Sequence, residues 1–385
     1  MNNTIKHITA VVGLPIVLAC AATLSSAGNW VADYSLDADI AYDDNFFMAD
    51  EEQDTWVYSV KPEVSLIYVS PVAKSQLDAR LAFKRYSDFD QFDSEDPAFD
   101  WKNSYKTQRS NWSFNTGYSE NSQRDAAEQD VGIFDSNTIV KTIYVDPGVD
   151  IELTEKDELG ISLHYNRRDY DANDFSDNDT QTIGLNWRHH LNEVLTTTAM
   201  VSASNYSADR VAISANETDY IQTTVGFIYQ YSEAMTIDGS AGYFETDAEA
   251  RFLAGPILLI SETESNGTLL NLGLHYDTEN DTFSFNLSRG LYPSSQGEVE
   301  ERDSVGVGYE HQFSGRSSTG ISIAWYDTGA LSEERESVTV SPFYSYRLTE
   351  KLQLKTTYIF RRFDRQTTLN EVDSNRVNLG LRYSF

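Results

Sequence analysis

The chain has 385 residues and a formal net charge of -31, from 29 Lys and Arg against 60 Asp and Glu. A balance this acidic argues against nucleic acid as a partner and against direct attraction to anionic lipid. Hydrophobic residues still make up 40% of the chain and aromatics 12%, with 23 Tyr and 19 Phe beside 8 Pro. After the amino-terminal segment no apolar run nears the roughly 20 residues that a membrane helix needs.

Lys6 and His7 precede an apolar run from Ile8 to Leu24, and Ser25, Ser26 and Ala27 supply small residues at its exit. A basic start, a short apolar centre and a small-residue exit predict a secretory signal peptide over 1–27, with 28–385 as the mature protein. Cys20 is the only cysteine, and Val17-Leu18-Ala19-Cys20 is a poor lipoprotein signal. Cleavage after Ala27 leaves a mature chain without disulfide or thiol chemistry.

From Trp30 onward the dominant pattern is a period of two. Apolar sets fall at Tyr34/Leu36/Ala38/Ile40/Tyr42, at Trp56/Tyr58/Val60/Pro62/Val64/Leu66/Tyr68 and at Leu77/Ala79/Leu81/Phe83. They recur at Ile143/Val145/Pro147/Val149/Ile151, Ile183/Leu185/Trp187, Leu270/Leu272/Leu274/Tyr276, Ile321/Ile323/Trp325 and Val338/Val340/Pro342/Tyr344/Tyr346. The intervening residues are mostly Ser, Thr, Asn, Gln, Gly or charged. Lipid outside and water inside select that alternation.

Short turns near Ser70–Lys74, Gln108–Asn111, Thr154–Asp157, Asn192–Glu193, Ser232–Glu233, Thr278–Asn280, Ser314–Ser317 and Thr349–Glu350 alternate with longer polar loops. The loops are expected at Asp43–Asp54, Ser87–Asp100, Glu120–Asn137, Asp169–Asp179 and Thr246–Glu262. The expectation is an all-β fold: a single closed antiparallel transmembrane barrel of about 18 strands, within a range of roughly 16–18, with both termini on the short-turn side. With the first strand starting close to Trp30, no plug domain is expected. Val60-Lys61-Pro62, Val145-Asp146-Pro147 and Val340-Ser341-Pro342 repeat at matching places. Proline forfeits a ladder donor, so a local bulge or bend is expected in each of those strands.

No catalytic constellation is legible, and no cofactor or metal is implied. His189-His190 lies on a strand, so the two rings point to opposite faces. No Gly-x-Ser-x-Gly elbow, His-Glu-x-x-His pair or Cys-x-x-Cys pair is present. The acidic stretch 169–179 has calcium-type ligands but lacks the glycine and distal glutamate of a helix–loop–helix site, so loose cation binding and simple solvation both stand.

Alternation points Asp37, Asp39, Lys61, Glu63, Asp78, Arg80, Lys84, Asp146, Asp150, Arg168, Arg188, Glu310, Arg347, Lys355, Arg376 and Arg382 into the lumen. Two readings stand for the bases Arg80, Lys84, Arg168, Arg188, Arg347, Lys355, Arg376 and Arg382. They either pair with carboxylates across the wall or form a track for an anionic or hydroxyl-rich solute. Basic pairs at the outer strand ends have a third reading, contact with lipopolysaccharide phosphates by outward members such as Arg85.

The chain closes on Arg376 to Phe385, where Val377, Leu379, Leu381, Tyr383 and Phe385 alternate with polar residues. Asn378, Gly380, Tyr383 and Phe385 fit the polar-x-Gly-x-x-aromatic-x-aromatic ending that the barrel-assembly machinery of Gram-negative bacteria reads, which places the protein in the outer membrane.

Taken with Tyr42-Asp43-Asp44-Asn45-Phe46-Phe47, the Leu-Thr-Glu-Lys turns and the basic strand ends, this ending resembles the outer-membrane β-barrel porins associated with exopolysaccharide export. The resemblance implies an 18-stranded barrel that exports an extracellular or capsular polysaccharide with a separate periplasmic export protein. The acidic loops depart from what an anionic polymer would favour. A diffusion porin for small solutes is the alternative, and an enzyme the least supported.

Overall fold

A computed structural model describes residues 28–385 apart from 123, 125–133, 173–174, 211–213, 255–256, 330–333 and 366–370. The expected leader, with Cys20, lies outside the described residues.

The chain folds into β1 (Asn29–Asp43), β2 (Thr55–Val69), β3 (Ala73–Tyr86), β4 (Ser94–Lys106), β5 (Ser110–Ser122) and β6 (Ile139–Glu152). There follow β7 (Asp157–Tyr170), β8 (Asp177–His190), β9 (Leu195–Arg210), β10 (Ser214–Ser232), β11 (Met235–Ala254) and β12 (Ile257–Asp277). The last third comprises β13 (Asp281–Pro293), β14 (Val299–Ser314), β15 (Ser317–Gly329), β16 (Glu334–Arg347), β17 (Leu352–Arg365) and β18 (Val372–Ser384). All 18 belong to one sheet in which each strand pairs antiparallel with its sequence neighbours, and β1 pairs with β18 to close it. The closing register sets Leu36 against Tyr383, Asp39 against Gly380 and Asp43 against Arg376.

Burial is inverted relative to a water-soluble protein. Leu163, Ile183, Leu185, Val225, Leu270, Leu272, Leu379 and Leu381 are exposed on the outer face. Aromatics flank this band: Trp30, Tyr105, Trp112, Tyr231, Phe313 and Phe385 toward the short turns, Trp56, Tyr58, Tyr243 and Tyr358 toward the long loops. An apolar belt between two aromatic girdles on a closed barrel is the surface of an outer-membrane protein.

Four of the short turns are built alike. The hydroxyl oxygens of Thr107, Thr154, Thr278 and Thr349 accept hydrogen bonds from Ser110 N (2.9 Å), Asp157 N (2.9 Å), Asp281 N (3.0 Å) and Leu352 N (3.0 Å). Threonine at that position replaces the ladder with a local side-chain acceptor, which accounts for the repeated Leu-Thr-Glu-Lys turns.

Two expectations are corrected. The prolines cause no bulge: the β2–β3 ladder skips from Val60/Phe83 to Glu63/Arg80, β6–β7 from Val145/Tyr165 to Gly148/Ser162, and β16–β17 from Val340/Phe360 to Phe343/Thr357, each without a register change. The neighbours on the other side stay paired, Leu36 with Pro62, Phe114 with Pro147 and Ile321 with Pro342. Each proline thus turns its missing donor toward one strand only, and the ladder simply opens there. The second correction concerns two expected loops. β4 already begins at Ser94 within Ser87–Asp100. Within Thr246–Glu262 the described residues are strand, β11 to Ala254 and β12 from Ile257, paired from Ala254/Ile257 to Met235/Tyr276. β9 to β12 span 16, 19, 20 and 21 residues, where most other strands have 13–15, and they rise as a tall wall at the loop end.

At the carboxyl end, Phe385 N donates to Tyr34 O at 3.0 Å, and the Tyr383 and Phe385 rings meet edge to face at 4.8 Å. Phe385 is 68% exposed, so apart from Tyr383 its ring is offered to the membrane interface and not to the barrel's own core. Deleting Phe385 or replacing it with Asp is therefore expected to lower outer-membrane levels while secretion across the inner membrane continues. Fractionation with a heat-modifiability gel checks this, and wild-type levels of the variant would refute an assembly role for this end.

Candidate functional site

The inner face is fixed by parity. Ala41, Asp43, Val57, Tyr86 and Tyr206 are buried in the barrel interior, and register carries that face around the wall. All eight bases predicted for the lumen fall on it, but most have partners. Lys84 Nζ lies 2.7 Å from Asp96, Arg188 lies 2.9 Å from Glu158 and 3.8 Å from Asp150, and Arg382 lies 3.8 Å from both Asp37 and Glu63. The Lys355 ammonium sits 4.4 Å from the centre of the Phe343 ring. Arg347 donates to Gly315 O at 3.2 Å at the short-turn rim, and Arg168 is also engaged. Among the described residues, Arg80 and Arg376 have no carboxylate in ion-pair range, and Arg376 Nε is buried without a hydrogen-bond partner.

The charge is unevenly spread around the ring. On β8 to β13 the inner face carries Thr180, Thr182, Gly184, Asn186, Ser202, Ser204, Gln222, Thr224, Ser240, Gly242, Asn286 and Ser288. Arg188, Asp238 and Asp277 are the few carboxylates and strong bases along the middle and short-turn end of that half. On β3 to β7 carboxylates crowd the wall, with Asp78 directly opposite Asp100. Tyr144 reaches across β5 to donate to Asp100 Oδ1 at 2.7 Å. It can do so because β5 has Gly117 there: an added Cβ would lie 2.4 Å from the Tyr144 ring. His164 Nδ1 meets Asp146 at 2.5 Å on the next pair of strands.

The outer mouth is narrowed from two sides. On one side the β1–β2 loop turns inward and buries Phe46 completely, at 0% exposure, against Ala41, Val57, Tyr86 and Phe92. Phe47 and Phe89 complete the aromatic group. The Arg124 guanidinium stacks 3.8 Å from the Phe46 ring centre, donates to Phe46 O at 2.5 Å and lies 3.5 Å from Asp43. Asp43 also meets Arg361 at 3.7 Å and accepts from Ser374 Oγ at 2.8 Å. Asn45 Nδ2 bonds to Ala49 O at 2.9 Å and Asp373 O at 3.0 Å, tying the loop to the closing strand. Met48, in contact with Phe134, Phe363 and Val372, adopts φ of 49°, a left-handed conformation that a branched or bulky residue takes only when its surroundings enforce it.

On the other side the β13–β14 hairpin leans into the barrel. Tyr206 Oη donates to Ser294 O at 3.0 Å, Ser176 N to Ser295 O at 2.9 Å and Asn216 Nδ2 to Gly297 O at 2.9 Å. Gly297, at φ of 85°, makes the turn. Leu291 and Val299 pack on Tyr206, Ala208 and Tyr220. The hairpin's other face pairs Glu300 with Arg335, and stacks Arg302 3.4 Å from the Tyr292 ring centre with Tyr326 at 5.7 Å. Sequence reasoning missed Arg124, Arg302, Arg335 and this inward hairpin; Ser294-Ser295-Gln296-Gly297 marks a turn but not its direction.

Catalysis and metal binding gain nothing from the structure. His189 pairs with Asp157 at 2.8 Å while His190 turns to Thr196, and among the described residues no group of His, Cys, Asp and Glu has metal-holding geometry. In the 169–179 stretch Asp171 is held by Lys141 at 2.7 Å and Asp177 caps Tyr170 N at 2.6 Å; residues 173 and 174 lie outside the described residues.

A closed 18-stranded barrel with an apolar belt and a polar, charged interior defines an outer-membrane β-barrel of Gram-negative type. No protein-family model matches the chain, and no curated protein matches it. Among solved structures it is similar to the ferric-catecholate import receptor Fiu of E. coli K12 in its open form, with a TM-score of 0.50 and 8% identity over 94% of this chain and 82% of that one. It also matches OpdO of Pseudomonas aeruginosa (TM-score 0.47, 13% identity, 93% and 97% of the two chains) and OccAB4 of Acinetobacter baumannii (0.46, 12%, 94% and 99%). At these identities the likeness concerns the fold.

Replacing Arg124 with Ala strips a buried carboxylate of one cation and Phe46 of its stacked cover. Removing one member of a buried pair costs about 3–5 kcal/mol, enough to release the β1–β2 loop from the wall. Single-channel conductance in planar bilayers should rise and fluctuate more, and a conductance identical to wild type would show that this loop does not narrow the path.

Proposed function

We propose that the chain is a passive channel for small hydrophilic solutes across the outer membrane. The observation that carries this reading is the doubly narrowed mouth. A barrel of 18 strands is wide enough for an aqueous channel, yet the β1–β2 loop and the β13–β14 hairpin both occupy its outer end. A mouth filled in this way suits compact solutes better than a polymer chain. Below it a solute meets hydroxyl and amide groups on one half of the wall and charges of both signs on the other. Such a lining keeps water in place and favours solutes that exchange their hydration for hydrogen bonds.

The second reading is export of an extracellular polysaccharide, with a periplasmic export protein docked at the threonine-built turns. What favours it is the resemblance carried by those turns, the basic strand ends and the carboxyl terminus. It requires the Phe46 loop or the hairpin to move aside during transport. In both readings Arg80 and Arg376, free of carboxylate partners, contribute most to the positive field felt by a passing solute, whereas Lys84, Arg188 and Arg382 are largely neutralised by their neighbours.

Two measurements test the proposal. In liposome swelling, purified barrel should admit mono- and disaccharides and exclude longer oligosaccharides. No swelling with any small solute, together with loss of exopolysaccharide from a clean deletion strain, would overturn it in favour of export. In bilayers, Arg80→Gln combined with Arg376→Gln should shift ion selectivity toward cations, because fields focused by a low-dielectric wall act locally and are screened beyond about 8 Å at physiological salt. Lys84→Gln should change it less. A shift from Lys84→Gln as large, per charge removed, as that of the double variant would mean that pairing does not decide which bases are felt.

A further inference from the structure

One long stretch of backbone lacks a partner on one side. β12 is paired with β11 along its whole length, but β13 covers its other edge only from Leu270 to Asp277. Above Leu270 the β13–β14 hairpin has turned into the barrel, and among the described residues no other strand or loop backbone pairs with the edge it leaves. The open edge, residues 257–269, is about 40 Å long at the rise of a strand. It lies above the apolar belt, and residues 259–266 are exposed in unbroken succession, so water reaches both faces.

Exposed edges invite pairing with other chains, and natural proteins protect them with lysine, proline, bulges or cover. Residues 257–269 contain no Lys, Arg or Pro, and their charges are all carboxylate, at Glu262 and Glu264, which guard against an acidic strand and not against a basic one. Leu259 and Ile260 stand 42% and 56% exposed. The outer face carries a second, independent feature. Register places Glu217, Glu249 and Glu262 directly beside one another across β10, β11 and β12, and Asp219, Asp247 and Glu264 in a second row. Like charges directly opposite destabilise a sheet. Relief comes from Arg251, which pairs with Glu249 and lies 3.9 Å from Glu217, and from Asn205, which bonds to Asp219 at 2.9 Å. Glu262 and Glu264, nearest the open edge, have neither.

We infer that this edge is a docking site for an extended, cationic segment of a partner protein at the cell surface, added to β12 as a further strand. Main-chain hydrogen bonds would satisfy the open edge, and alternate Lys or Arg side chains would fall beside Glu262 and Glu264. Charge decides against a second copy of the chain as the occupant, because two β12 edges paired antiparallel would bring the same carboxylates together. The inference does not rest on which solute the lumen carries.

The test uses the intact barrel in detergent micelles and three labelled peptides of about twelve residues, matched to the edge length. One alternates lysine with threonine, one alternates glutamate with threonine, and one has the lysine composition with prolines placed at alternate threonines. Fluorescence anisotropy should show binding of the first alone. The double variant Glu262→Lys/Glu264→Lys should weaken it about tenfold, the scale of two cross-strand charge contacts, and should gain affinity for the glutamate peptide. Unchanged heat-modifiability and conductance establish that the variant is folded. Equal binding of the proline peptide would overturn strand addition, leaving a merely charged surface. A dimer linked through Ser261→Cys in native mass spectrometry, with no peptide binding, would overturn the cationic partner in favour of a second copy. Binding of no peptide by a monomeric barrel would overturn the inference as a whole.

Discussion

Everything in this molecule follows from the cost of an unpaired backbone group in hydrocarbon. With no water to accept or donate, each strand within the belt must find a partner on both sides, and a sheet satisfies that demand only by closing. Closure through β1 and β18 then forces the period-two pattern, since one side of every strand faces lipid and the other an aqueous interior. The three proline sites show how far the demand can be relaxed. Two pairs are skipped at each, the register is kept, and one neighbouring ladder stays whole.

Where the backbone leaves the membrane the constraint lifts, and the structure becomes irregular at once. The β12–β13 ladder opens at Leu270, β10 to β12 extend upward, and the β13–β14 hairpin uses its freedom to fold inward. The mouth is therefore built of segments released from the sheet and held by side chains. Asp43, Arg124, Arg361 and Ser374 form a buried polar knot on one side, and Tyr206, Ser294 and Asn216 a set of side-chain to main-chain bonds on the other. Low-dielectric surroundings make such knots rigid when complete and weak when one member is lost.

The parts of the fold legible in the sequence are those under the membrane's constraint. Strand number, the faces of the lumen residues and the short turns could be read because lipid on one side enforces alternation and threonine builds the turns locally. Residues 246–262 were misread as loop for the converse reason. With water on both faces, Glu245, Asp247 and Glu249 outside and Thr246 inside give no amphipathic contrast. The mouth was illegible in direction but not in kind. Phe46, Phe47, Phe89 and Phe92 are aromatics in outer loops, a sign that those loops bury something, yet nothing local tells whether they fold over the rim or into it. Pairing of the lumen charges could be expected, but which carboxylate each base meets could not, because that depends on cross-strand register that a single strand does not encode.

The order of the strands around the ring has a kinetic meaning. Every ladder but one joins strands that follow each other in sequence, across connections as short as the threonine turns. Those hairpins close small loops at little entropic cost and form from local contacts. The β1–β18 seam alone joins residues separated by nearly the whole chain, as Ser35 is from Ser384. Search for the native state is thus concentrated in a single step that comes after seventeen easy ones, and the ends of the chain carry the timing of the whole assembly.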